Sequence, residues 1–142
     1  MKICFTITLL LGTVLFSCQQ SAFNPDTIAQ DYITFGKGGG MANQVDTYYI
    51  LRNGKVYHHN NLTSEYERLD RLDKSARTEC FEQAQAIPVT NFGCNEPGNI
   101  YYFLSIHTDT LLTCTWGSNG FTPPAEIDSF YQYAHQLTKN KP

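Results

Sequence analysis

Four histidines, the cysteines and one glycine run are the residues of this sequence whose types could do chemistry. His58 and His59 are neighbours in a β-type run, so they point to opposite faces and cannot bind one metal ion together. His107 falls in a turn and His135 on an amphipathic stretch. No HExxH, CxxC or His-x-His spacing occurs, so the chain offers no local metal motif and no cofactor is expected. An acid–base or hydrolytic centre would have to be assembled by tertiary contacts around His58, His59 or His135; solvent-facing histidines are the default expectation.

A nucleophilic cysteine needs a nearby histidine or a helix N-terminus. Cys80 falls in mid-helix on an apolar face, and Cys114 alternates with Leu112 and Trp116. Both read as small buried hydrophobes. Cys94 sits in the Asn91–Gly98 loop. One disulfide is expected, Cys80–Cys94 or Cys94–Cys114, and either would stabilise the fold by ~2–4 kcal/mol.

The run Gly36-Lys37-Gly38-Gly39-Gly40 invites a phosphate-binding reading. Phosphate loops lead directly into a helix whose N-terminus faces the anion. Here Val45 to Leu51 is strand-like, so nucleotide is excluded as a partner. The remaining readings are a mobile hairpin loop, or a contact loop in which Gly38, Gly39 and Gly40 let a partner's backbone come close. No GxSxG elbow is present. Glu65, Glu67, Asp70 and Asp73 alternate with Arg68, Arg71 and Lys74, the pattern of a solvated surface.

The elements that must hold these residues are short and regular. Gln30–Phe35, Val45–Leu51 and Lys55–His59 carry β-favouring residues, and Asn53-Gly54 between the last two signals a hairpin with both turn residues at positive φ. Asp73 can N-cap a helix to Ala86 with Ala76, Cys80, Phe81, Ala84 and Ile87 on one face. Glu96-Pro97-Gly98-Asn99 reads as a type II turn. Ile100–Ile106 and Leu111–Trp116 form a second hairpin. Thr122-Pro123 opens a last helix, with Ile127, Phe130, Tyr131, Ala134 and Leu137 along one face.

The resulting fold class is α+β: an antiparallel four- to five-stranded sheet in βββαββα order, with two helices packed on one face. If His107 opposes Thr110, then Tyr101, Phe103, Leu112, Cys114 and Trp116 share a face, which is taken as the core side. Both faces are largely apolar. Either further segments of the chain cover the second face, or it is a contact surface.

The chain has 142 residues and a net charge of −3, with 42% apolar and 16% charged residues. That is one domain with a real core, not a disordered chain. Without a basic patch, nucleic acid is not an expected partner.

The N-terminus reads as an address. Lys2 precedes an apolar run from Ile3 to Phe16, too short for a comfortable membrane span and suited to a secretory signal. It ends in Leu15-Phe16-Ser17-Cys18, which resembles the lipobox of bacterial lipoproteins. The resemblance implies cleavage before Cys18 and lipid on its sulfur. With an N-acyl chain that makes three acyl chains, a firm anchor. Residues 1–17 are then the signal, 18–27 a lipid-anchored tether and 28–142 a single domain. The expected place is the bacterial cell envelope, at the outer membrane facing the periplasm. Cys80, Cys94 and Cys114 would remain in an oxidising compartment.

Phe35-Gly36, Gly38–Gly40, Tyr49, Asn53-Gly54, Leu72-Asp73, the NEPGNIYYF run from Asn95 to Phe103, and Trp116-Gly117 together resemble a group of small, uncharacterised Bacteroidota lipoproteins. The layout is also similar to emfourin-type inhibitors of thermolysin-like metalloproteases. That family has a glycine-rich segment after the first strand, then strands, a helix, a hairpin and a closing helix. Met41-Ala42-Asn43 stands where those inhibitors have an aromatic residue and another glycine, so no residue role carries over. The expectation is a non-enzymatic binding module, with an envelope protein or protease as partner.

Overall fold

A computed structural model describes residues 22–139. Seven strands and two helices follow one another: β1 (Tyr32–Gly39), β2 (Gln44–Leu51), β3 (Val56–Asn60), β4 (Tyr66–Leu69), α1 (Lys74–Ala86), β5 (Asn95–Glu96), β6 (Ile100–His107), β7 (Leu111–Trp116) and α2 (Ala125–Lys139). They make one sheet in the order β4-β3-β2-β1-β6-β7-β5.

The α+β class and both helices agree with the sequence reading; the strand count and direction do not. Tyr66–Leu69 pairs with β3 as an edge strand. Its exposed Glu67 and Arg68, read as a solvated surface, are the charges that protect such an edge from further pairing. The last strand, β5, runs parallel to β7, so the sheet is mixed. Backbone bonds from Gly93 N–H to Thr113 O and from Thr115 N–H to Cys94 O guide the chain returning from α1 along that edge.

The turns depart from the sequence reading in ways that set the side-chain faces. Only Gly54 of the Asn53-Gly54 pair has positive φ. The Gly54 N–H bonds to Leu51 O and the Leu51 N–H to Lys55 O, giving a longer loop with a single left-handed glycine. Gly98 has no positive φ, so the type II turn is absent; its missing Cβ lets it lie against the Gly117 backbone. His107 pairs with Leu111, not Thr110. One more residue in that turn moves every side chain of β6 to the other face. Tyr102, Leu104 and Ile106, not Tyr101 and Phe103, therefore share the core side with Leu112, Cys114 and Trp116. The last helix begins at Ala125, because Pro124 disfavours helical geometry at Pro123.

Both helices pack on that side. Cys80, Phe81 and Ala84 of α1, and Ile127, Phe130, Tyr131 and Ala134 of α2, join Ile33, Phe35, Ile50, Val56, Leu104, Ile106, Cys114 and Trp116 in one core. Asp73 caps α1 by accepting a hydrogen bond from the Ala76 N–H. Cys94 is bonded to Cys114, which selects one of the two expected pairings and fastens the β5 edge to β7.

Candidate functional site

Strand register builds a polar patch where the helix-covered side of the sheet passes beyond the apolar core. Lys37 of β1, Asp46 of β2 and Asn60 of β3 lie in one cross-strand row; Phe35, Tyr48, His58 and Glu67 lie in the next. Asp46 is the hub. Its carboxylate accepts from Asn60 Nδ2 at 2.9 Å and Gln44 Nε2 at 3.2 Å, and His58 Nε2 lies 3.1 Å from Oδ1. His58 Nδ1 lies 3.6 Å from the exposed Glu67 carboxylate. The Asp46 and His58 side chains are 19% and 22% exposed, so the pair is partly shielded yet reachable from solvent.

An aromatic line connects this cluster to α2. The His58 ring stacks on Tyr48 at 4.6 Å, and the His135 ring lies 5.7 Å from the same tyrosine, against Phe35 and Tyr131. His135 Nδ1 is buried without a hydrogen-bond partner. Burial, reinforced by the positive charges of Lys139 and Lys37, holds this imidazole below the usual histidine range. A cleft of about 290 Å³ opens beside it, bounded by Lys37, Tyr102, Tyr131 and Lys139. A smaller one of about 190 Å³ lies between Lys37, Gln44, Asp46, the glycine run and Ile100.

The glycine run is not the flexible turn expected from sequence. β1 continues through it to Gly39, and only Gly40–Asn43 turn. Gly38 is buried beneath the Tyr101 ring opposite it, and a Cβ there would meet that ring. Gly39, at φ +101°, lies so close to the Asn99 backbone that a Cβ would strike its carbonyl. The Gly40 N–H donates to that same carbonyl at 2.8 Å, while the space around Gly40 is open. Most of the run thus serves close approach inside the sheet, and Gly40 is its free tip.

The other candidates lie apart. His59 is on the opposite face of the sheet, stacked on Tyr66 at 4.3 Å, with Nε2 3.1 Å from Thr63 O. His107 is no solvent-facing turn residue. It stacks on Tyr32 at 4.0 Å, contacts Thr34 Oγ1 at 3.1 Å, and is held low by burial. Cys80 is buried, which pushes its thiol up to about 12 and keeps it from acting as a thiolate. Cys18 lies outside the described residues. Among the described residues no group of three His, Cys, Asp or Glu could hold a metal ion. No described helix is long and apolar enough to cross a membrane.

Sequence reasoning passed over Asp46, and it anticipated an apolar second face without naming the residues that make it. Asp46 shares a face with Tyr48 and Ile50, and a carboxylate on a core-facing position needs partners. The open face of the sheet carries Tyr32, Tyr49, Tyr57, Tyr66, Tyr101 and Phe103 at alternate strand positions. Phe23 packs onto it, stacked on Tyr57 at 3.8 Å and edge-on to Tyr49 and Tyr66. Burial pushes the Tyr49 phenol up to about 12.

Comparison with known proteins finds no matching family model and no significant match among curated proteins.

Proposed function

We propose that this chain is a bacterial envelope lipoprotein, anchored through lipid on Cys18, whose domain is a non-enzymatic binding module facing the periplasm from the outer membrane. The observation that carries the anchor is Leu15-Phe16-Ser17-Cys18 at the end of a short apolar run, a few residues ahead of the folded domain. The binding role draws on rigid strands that end in an exposed tip. Met41 is fully exposed beside Gly40, and Leu62 is exposed on the adjacent hairpin. Asn61 ties the two tips together, donating to Asn43 O and accepting from the Val45 N–H. The partner proposed for this edge is an envelope protein, in one version a thermolysin-like protease that the domain inhibits.

The anchor is tested by fractionating cells that express wild type or Cys18→Ala. Wild type in membranes and the variant in the soluble fraction is the expected outcome; equal amounts in the soluble fraction overturn it. The inhibitor version fails if excess domain leaves a thermolysin-like protease fully active.

A second reading, a small hydrolase, is favoured by the Asp46–His58 contact, in which a carboxylate orients an imidazole. His59 has no part in it, since it lies across the sheet. Against it, both His58 ring nitrogens already face carboxylates, at 3.1 and 3.6 Å. Hydrolysis of ester or peptide substrates that is abolished by His58→Ala would favour this reading over the module.

A further inference from the structure

We infer that the open aromatic face of the sheet is the surface with which the anchored domain rests on its own phospholipid leaflet. The inference rests on the Cys18 anchor proposed above and adds an orientation to it.

Three observations carry it. The first is where the described chain leaves the domain. Phe23 is seated on the open face, among Tyr49, Tyr57 and Tyr66. Cys18 is five positions earlier, and five residues span at most ~18 Å fully extended. A helix with its side chains is ~10 Å across, so the outer surface of the helix layer lies at least that far behind the sheet. A tether leaving from Phe23 therefore keeps the open face nearer the lipid than the outer surface of the helices.

The second is the distribution of charge. The acidic strand residues Asp46, Glu67 and Glu96 share the helix-covered side, by register with Lys37, His58 and Trp116. Exposed Glu79, Glu82, Glu126 and Asp128 lie on the helices. The strand positions of the open face hold Arg68 and two histidines but no carboxylate; Asp26, on the segment that carries Phe23, lies close enough to Tyr49 and Tyr32 to disfavour their ionisation. An anionic leaflet attracts the basic side of a domain and repels the acidic side.

The third is chemistry. Tyrosine presents an apolar ring and a polar tip, the combination enriched at membrane–water interfaces. The rings here are half-buried and flanked by Thr47, Ser105 and exposed Thr113. That suits contact at headgroup depth rather than insertion.

The test uses the full-length acylated protein in phosphatidylethanolamine vesicles containing phosphatidylglycerol and a nitroxide-bearing lipid. A fluorophore is attached through Arg68→Cys on the open face or Gln132→Cys on the outer side of α2. Both positions are exposed, and buried Cys80 stays unlabelled. The inference expects lipid nitroxide to quench the open-face probe severalfold more than the helix probe. Equal or reversed quenching in protein that floats with the vesicles overturns the orientation and leaves the anchor standing. Protein that does not float refutes the anchor and the orientation together. Emission from the open-face probe that changes with protein density, without lipid quenching, would assign the face to a second copy and overturn the inference.

Discussion

Both faces of this sheet carry apolar and aromatic side chains, but they are closed in different ways. On one face, two helices cover a continuous core in which Ile33, Phe35, Ile50 and Leu104 are wholly buried. On the other, neither α-helix of the described residues packs. Tyr49 and Tyr66 meet edge to face, Tyr57 stacks on Phe23, and the rings of Tyr101 and Phe103 lie over the glycines of the neighbouring strand. A helix excludes water from a whole face. Aromatic rings over glycines shield the backbone while leaving phenol tips wet. The difference separates a face that holds the fold together from one that can meet something else.

Truncation should expose the contrast most clearly. Phe35→Ala, on the helix-covered face, should cost about 3–5 kcal/mol in urea unfolding. Tyr57→Ala, on the open face, should cost about 1 kcal/mol, the scale of an aromatic pair. Equal losses would make the open face a second core.

The edges offer the next test. Reducing Cys94–Cys114, or Cys94→Ala, should cost about 3 kcal/mol, read as a lower unfolding midpoint with and without reductant. A negligible shift would mean that β5 is held by its backbone bonds alone.

Within the glycine run, Gly39→Val should cost about 2–3 kcal/mol, from steric collision and backbone strain. Gly40→Ala should cost about 1 kcal/mol, since only its left-handed φ is disfavoured. Partner capture lost in Gly40→Ala with the fold intact would place the contact at the free tip. Similar destabilisation by both would remove the distinction between an internal glycine and an exposed one.

The smallest effect is with pH, and it draws on both faces. Burial holds His107 on the open face and His135 on the helix-covered face below the ordinary value of 6.5. Below that value the unfolded chain takes up protons that these native imidazoles refuse, so stability falls as pH drops through about 6.5. The fall levels off once the native groups protonate. His135→Gln should flatten the slope of unfolding free energy against pH between 5 and 7; an unchanged slope would show that His135 does not contribute.

The elements were legible where periodicity was long or the cap was explicit: α2 with its apolar stripe, α1 behind Asp73, and the first three strands. Short edges were not. β4 has four residues and β5 two, too few for alternation to rise above a charged loop. The face of β6 turned on one residue of a turn. Ser105 and His107, which alternate with Tyr101 and Phe103, were the local sign that this set is not the core side. The candidate site was less legible still, because Asp46 and His58 meet only through strand register, and His135 reaches Tyr48 only through the packing of α2 on the sheet. The glycines were misread because a glycine run looks the same whether it bends the chain or lets two strands close up.

The account depends most on Cys18, and the intact mass of the protein released from membranes tests it directly. It predicts a chain that begins at Cys18, lacks residues 1–17, and carries a diacylglyceryl group and an N-acyl chain. A chain without acyl groups, or one that retains residues 1–17, would contradict it.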